Sequence, residues 1–283
     1  MTTTDAHSFL SGRNAWVTGA ASGMGRATAL ALAAAGARVA VGSPTDADAA
    51  LLAEGETADL LTMAELTELE AELSREGRPA LAGRLDVASD SSVDGFLAAI
   101  ERRLGPVDIL VNAAYAGAKA KVAGHDDRLW HRLFEINVHG AYRTIRRCLP
   151  GMIERGWGRI VNIGSTAATV GAADSAAYCA SKAGLLGLTR CVALEGAPHG
   201  VSCNMISPGW VKSRQSRLAY ERQIALHGLA KTVEEFLEEA AQAIPQRRLL
   251  EPGEIGALAV FLCREEALGI TMEDIRVSAG SLW

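Results

Sequence analysis

Seven short strand-like runs punctuate the chain, at 14–18, 38–42, 80–85, 107–112, 159–164, 201–206 and 274–278, and helix-like stretches alternate with them. That alternation predicts parallel β-strands joined by crossover helices, an α/β doubly wound sheet. The helices carry their own signals. Thr62-Met63-Ala64-Glu65 and Thr232-Val233-Glu234-Glu235 both read as capping boxes, and Leu66, Leu69 and Leu73 mark one apolar face after the first. Helices are also expected over an Arg-rich run at about 126–155 and over 175–196. No internal repeat or low-complexity linker interrupts the pattern.

Two segments are longer than a strand–helix–strand unit needs. The first, 44–61, is rich in Ala, Leu and acids and is expected to add a surface helical turn or two. The second, 210–245, follows Ser207-Pro208-Gly209 at the carboxyl end of the sixth strand and is expected to project over the cleft as a lid. Leu218, Tyr220, Ile224, Leu226, Leu229 and Phe236 would cover a substrate, with Arg214, Arg217, Glu221 and Arg222 on the outer side. A fixed two-helix cap is the alternative.

With 283 residues, 49% of them hydrophobic, the chain can bury one substantial core, and one domain is expected. A net charge of −5 argues against a nucleic-acid surface. The start, Met1 to His7, lacks the basic and apolar regions of a signal peptide, and the longest apolar stretch, Ala27 to Ala37, is too short to span a bilayer. A cytoplasmic protein with no membrane partner is expected. Cys148, Cys179, Cys191, Cys203 and Cys263 show no paired spacing and are read as small buried hydrophobes.

The densest chemistry lies in Tyr178-Cys179-Ala180-Ser181-Lys182, where four-residue spacing on a helix puts phenol and ammonium on one face. Tyrosine ordinarily loses its proton near pH ~10, and bringing that to about 7 takes roughly 4 kcal/mol of preferential stabilisation of the phenolate, part of which a neighbouring Lys⁺ supplies. Ser165 closes the run Arg159-Ile160-Val161-Asn162-Ile163-Gly164-Ser165, so its hydroxyl is expected at the carboxyl end of a buried strand. Open α/β sheets bind ligands there.

Upstream, Thr18-Gly19-Ala20-Ala21-Ser22-Gly23-Met24-Gly25 follows a strand and opens an Ala-rich helix. Glycines at such a turn let backbone approach a pyrophosphate, and the helix N-terminus offers unpaired N–H groups. The spacing resembles the Thr-Gly-x-x-x-Gly-x-Gly of the short-chain dehydrogenase/reductase family. The resemblance runs from about Leu10 to Val277, through Asp86-Val87, Asn112-Ala113-Ala114, Asn137, Ser165, Tyr178 with Lys182, and Pro208-Gly209. It implies a single-domain Rossmann-type sheet and a nicotinamide cofactor, NAD(H) or NADP(H). Gly19, Ser22, Gly23, Met24, Gly25, Ser43, Asp86, Val87, Asn112, Ala113, Ala114, Tyr178, Lys182, Pro208, Gly209 and Val211 would hold that cofactor, with Asp86-Val87 at the adenine. It also implies a homotetramer or homodimer paired through the helices at 126–155 and 175–196.

By the same resemblance, Tyr178 is the general acid/base of hydride transfer between the nicotinamide and an alcohol or carbonyl, and Ser165 orients the substrate oxygen. Lys182 lowers the phenol pKa and holds the nicotinamide ribose, while Asn137 supports a water leading to Lys182. The chemistry accounts for these residue types independently, because hydride addition to a carbonyl builds an alkoxide that needs a donor and a proton source. Two departures stand out. Tyr115 replaces a glycine usual in the family and is expected to narrow the pocket, and Ser43 replaces the acid that binds the adenosine ribose and excludes a 2′-phosphate. Asp46 or Asp48 could fold back to that place; otherwise both cofactors should be tolerated.

Lys119, Lys121 and His125 follow the fourth strand, where they are either solvated charges or an attraction for an anionic substrate such as an acyl carrier. They keep open a β-ketoacyl or polyketide reductase. A catalytically silent nucleotide-sensing regulator on the same fold is the third reading, though such a protein should have lost Tyr178 or Lys182. His131 and His139 have no companions at ligand spacing, and no catalytic metal is expected.

Overall fold

Strands β1 (Asn14–Thr18), β2 (Arg38–Ser43), β3 (Leu81–Arg84), β4 (Ile109–Asn112), β5 (Gly158–Ile163), β6 (Val201–Pro208) and β7 (Asp274–Val277) pair in parallel throughout, in the order β3-β2-β1-β4-β5-β6-β7. The computed structural model describes residues 8–20, 22–56, 60–74 and 77–281. Each strand falls on one of the seven strand-like runs. Because successive strand residues point to opposite faces, Ala15 and Val17 enter one core while Trp16 enters the other; Ile109 and Val111 part from Leu110 in the same way. Both faces are therefore apolar, and both need a helical cover.

Helices α1 (Gly23–Ala34), α2 (Met63–Leu73) and α9 (Pro252–Phe261) cover one face through Leu32, Leu69 and Ile255. The other is covered by α3 (Asp90–Arg103), α4 (Asp127–Phe134), α5 (Ala141–Glu154) and α6 (Ala176–Gly196), and there Trp16 packs its ring 5.8 Å from that of Phe96. The capping boxes expected at Thr62 and Thr232 both form, and Leu66, Leu69 and Leu73 are buried. β1 has β2 on one side and β4 on the other, so the order reverses there and a crevice opens at the strands' carboxyl ends.

Several expectations need correction. The stretch 126–155 is not one regular helix: a π-helical turn, Glu135–Gly140, separates α4 from α5 and carries Asn137. Gly140 allows this turn to press on the loop after β3, since a Cβ there would lie 2.8 Å from Val87 Cγ2. The 44–61 insertion does more than add surface turns. Its 3₁₀ turn, Asp46–Leu51, buries Asp48, Glu56 is buried further on, and Thr45 bridges to Leu61; residues 57–59 lie outside the described residues. Cys148, Cys203 and Cys263 are buried, but Cys179 is half-buried and Cys191 exposed.

Segment 210–245 forms two helices, α7 (Arg214–Leu226) and α8 (Val233–Gln242). Tyr220 is buried between Trp210 and Phe236, whereas Leu229 is exposed; the Leu226 side chain lies outside the described residues. Arg214 and Arg222 do not face outward alone. They reach the 44–61 insertion, through the carbonyls of Leu60 and Glu56 respectively.

Candidate active site

The turn after β1 is built around close backbone contact. Gly19 has φ +65°, and a Cβ there would sit 2.5 Å from Ala114 Cα; one on Gly25 would sit 2.3 Å from the Gly19 carbonyl oxygen. No side chain fits at either position. Thr18 Oγ1 ties the turn to β4 by accepting from the N–H groups of Ala113 and Ala114, both at 3.2 Å. At the N-terminus of α1, Ser22 makes no side-chain cap and the first turn holds no acid, so its N–H groups and partial positive charge suit a diphosphate. Ala21 lies outside the described residues.

The resulting cleft is lined by Gly19, Ser22, Gly23, Met24 and Gly25, by Ser43 and Asp48, by Asp86 and Val87, and by Ala113, Ala114 and Tyr115. These residues fit a dinucleotide: the glycine backbone and the helix N-terminus suit its diphosphate, and Leu85 and Val87 add apolar wall. Where the expected acid at position 43 is missing, Asp48 is the carboxylate that folds back. Asp48 accepts from Arg84 Nε at 3.0 Å and from Thr45 N at 2.9 Å, and the Arg84 bond holds its carboxyl below the usual carboxylate range.

Asn112 is placed otherwise. Its amide lies in a buried polar chain in which Thr144 Oγ1 donates to Asn112 Oδ1 (2.6 Å), Asn112 Nδ2 to Asn162 Oδ1 (2.9 Å), and Asn162 Nδ2 to Thr189 Oγ1 (2.9 Å). This chain joins β4 and β5 to α5 and α6. Pro208 ends β6 in register with Val277, while Gly209 and Val211 line a second chamber.

That chamber, of ≈ 430 Å³, opens at the carboxyl ends of β5 and β6 and holds Ser165 and Tyr178 in its wall. Ser165 ends the strand segment and caps the short 3₁₀ turn Thr166–Ala168, its Oγ accepting from Ala167 N at 3.1 Å. Tyr178 lies in the first turn of α6, and Lys182 one turn further on. The Lys182 ammonium is buried, donates to the Ile163 carbonyl at 2.9 Å, and lies 5.8 Å from the Tyr178 ring centroid and 5.5 Å from that of Tyr115.

Burial governs both titrations. It raises the Tyr178 pKa, with a hydrogen bond from Ser165 acting in the opposite sense, and lowers that of Lys182 to about 7. The protein on its own thus keeps the phenol protonated and leaves the lysine poised to lose its proton.

Asn137, from the π turn, spends both amide N–H donors, on Ala116 O (3.0 Å) and Ser181 Oγ (2.9 Å), and accepts from Ala116 N at 2.8 Å. Its side chain fastens the loop after β4 to α6. Tyr115 lines both the cleft and the chamber and stands where they meet. Residues the sequence reading passed over also appear: Gln215 lines both spaces from the first turn of α7, and Asn162 carries the polar chain behind them. Asn162 left a signal, an amide between Val161 and Ile163 in a buried strand. Gln215 left none, because the path of the 210–245 segment decides what it faces.

Residues 19–281 match the family described as enoyl-(acyl carrier protein) reductase. The D-β-hydroxybutyrate dehydrogenase of Cupriavidus necator is 34% identical over 97% of this chain and 96% of its own. The 3-oxoacyl-(acyl-carrier-protein) reductase of Vibrio harveyi is 31% identical over 96% and 98%. Among solved structures, an actinorhodin polyketide ketoreductase variant with NADPH superposes with a TM-score of 0.84 at 31% identity, covering 95% of this chain and 96% of its own. The chain belongs to the short-chain dehydrogenase/reductase family. As a member it is an NAD(P)-dependent oxidoreductase acting on an alcohol/carbonyl pair, and its seven-stranded parallel sheet is the Rossmann-type sheet of that family. Among the described residues no helix is long and apolar enough to cross a membrane, and no group of three or more His, Cys, Asp or Glu could hold a metal.

Proposed function

We propose that Tyr178 is the general acid/base of this short-chain dehydrogenase/reductase, that Ser165 orients the reacting oxygen, and that Lys182 stabilises the phenolate. The observation that carries the reading is the convergence of strand end and helix start: Ser165 and Tyr178 share one chamber wall, with the Lys182 ammonium buried behind the ring. The nicotinamide, when bound, donates or accepts the hydride. In the oxidative direction Tyr178 takes the hydroxyl proton as the C–H bond breaks; in the reductive direction it returns that proton to the growing alkoxide. Lys182 shares in this transfer, because an ammonium beside the phenolate offsets the cost of its buried charge. Asn137 is a positioning residue that holds α6 against the loop bearing Tyr115.

The wall between cleft and chamber, at Tyr115, sets where the reacting carbon meets the cofactor. Reduction of a 3-oxoacyl thioester is a second reading, drawn from the Vibrio harveyi relative's substrate. Assembly through α5 and α6 as a homotetramer or homodimer is part of the same proposal, supported by Tyr142 and Leu194, which expose 49% and 66% of their surface on those helices. A cytoplasmic location also belongs to it.

The test is a panel of secondary alcohols and ketones followed at 340 nm with each cofactor, repeated with Tyr178→Phe. The variant should lose about 10²–10⁴-fold in kcat while its cofactor affinity stays within a few fold. Half-normal activity in that variant would remove Tyr178 from the acid/base role.

A further inference from the structure

The chain is acidic as a whole, with 33 Asp and Glu against 28 Lys and Arg, yet the substrate chamber inverts that balance. Lys119 and Arg222 line it, and no Asp or Glu does. Glu56, next to the lining residue Gly55, turns its carboxylate away, accepting from Ala53 N at 2.9 Å and Arg132 Nε at 3.2 Å. The rest of the wall is largely apolar, with Trp210 and Tyr220 stacked at 5.4 Å. A cavity of one charge sign with low-dielectric walls concentrates its field on whatever enters.

Lys119 is also held in place. Its Nζ donates to Ser175 Oγ at 2.8 Å, and the next residue, Ala120, donates its N–H to Asp174 O at 2.8 Å. Among the described residues no carboxylate lies within ion-pair distance of this ammonium, which has three donors to offer. Ser175 is the residue before α6, and Tyr178 follows it by three positions, roughly 4.5 Å along the helix axis. Lys119 therefore lines the same chamber as Tyr178 and is tied to the residue that precedes that tyrosine's helix. Arg222, on α7, also lines the chamber and donates to the Glu56 carbonyl.

We propose that the substrate carries a carboxylate bound by Lys119, so that the reacting pair is a hydroxy acid and its oxo acid; this rests on the acid/base role given to Tyr178. In the oxidative direction the carbinol hydrogen leaves as hydride to the oxidised nicotinamide, the hydroxyl proton passes to Tyr178, and the carboxylate keeps its charge against Lys119 throughout. The apolar body of the acid lies on the Trp210 and Tyr220 wall.

The experiment compares straight-chain 2-, 3- and 4-hydroxy acids with their primary amides and short thioesters, with both cofactors, in the wild type, Lys119→Met and Lys119→Arg. The acid should exceed its amide in kcat/KM by on the order of tenfold or more, as a charge-assisted bond requires. Lys119→Met should collapse that ratio, mainly through KM of the acid, and Lys119→Arg should restore it; cofactor affinity, measured by fluorescence, reports that the variants fold. Equal kcat/KM for acid and amide, or a ratio unmoved by Lys119→Met, overturns the proposal while leaving Tyr178 its role. Turnover of thioesters alone also overturns it and gives the chamber to carrier-bound substrates. No turnover of acid, amide or thioester with either cofactor overturns the acid/base reading instead.

Discussion

Arg84, the last residue of β3, grips the carboxylate of Asp48 on the neighbouring insertion, its Nε 3.0 Å from both oxygens. Asp48 is 3% exposed and lines the cofactor cleft, and the bond to Arg84 keeps it ionised at neutral pH. The pair thus presents a carboxylate whose charge is cancelled.

Tolerance of both cofactors follows from that cancellation, with NADH and NADPH differing by less than ~100-fold in kcat/KM. Arg84→Ala leaves the carboxylate bare and should tip selection toward NAD(H), since a 2′-phosphate would meet an uncompensated negative charge; Asp48→Asn should tip it toward NADP(H). Each shift should be roughly tenfold, as for close charge pairs. Movement of both variants in the same direction would detach this pair from cofactor choice.

Asp48 also shows where sequence reading stops. The central strands are legible because runs buried on both faces admit few other conformations, and the glycine turn because backbone contact leaves no room for a Cβ. The missing acid at Ser43 was equally plain. Which of Asp46 and Asp48 takes its place depends on a 3₁₀ turn capped by Thr45, a local choice made by tertiary contact with Arg84. The π turn at Glu135–Gly140 was hidden for a related reason. Its residues have ordinary helical character, and only the fit of Gly140 against Val87 and of Asn137 against Ala116 shifts the hydrogen-bond register.

The buried chain Thr144, Asn112, Asn162, Thr189 is expected to act on stability and not on the cofactor. Asn162→Ala leaves the Asn112 Nδ2 donor without its acceptor and removes the bond that Thr189 Oγ1 accepts, which should cost about 1–3 kcal/mol in urea unfolding. Cofactor affinity should hardly change. A loss of affinity as large as the loss of stability would return Asn112 to the binding site.

Lys182 carries a stability cost for its function. Its folded pKa, about 7, lies below the ordinary 10.5, so between those values the unfolded chain binds the extra proton and stability rises with pH. Below about pH 7 the full cost of the buried charge is present. Lys182→Met should therefore abolish turnover yet raise the melting temperature of the cofactor-free protein at pH 7, with the gain shrinking toward pH 10. The single bond to the Ile163 carbonyl returns less than the charge costs to bury. A melting temperature lowered at pH 7, or a gap independent of pH, would contradict this.

The cap over the cleft buries little of its own surface. Along α7 and α8 only Tyr220 and Ala241 are buried among the described side chains, so little apolar surface opposes opening. Among its fastenings are the ring contact of Tyr220 with Trp210 and Phe236, at 5.4 and 5.2 Å, the packing of Leu237, Ala240 and Ala241 on Val211 and Leu250, the Arg214–Glu65 pair, and two arginine links to the 44–61 insertion: Arg222 to the Glu56 carbonyl, and Arg214 to the Leu60 carbonyl at 3.2 Å. Glu56 and Gln215 both line the cleft, so the Arg222 link joins insertion and cap beside it. If α7 and α8 act as a lid, these links part on opening and re-form on closing. Brief trypsin treatment should then cut first after Arg214, Arg217 or Arg222 in the free enzyme and be suppressed by cofactor with substrate or product. Arg222→Gln, which weakens one link, should speed cleavage after Arg217 several-fold without moving the midpoint of global unfolding. Equal cutting with and without ligands, or resistance in both states, would make α7 and α8 a fixed cap whose arginine links are permanent parts of the wall.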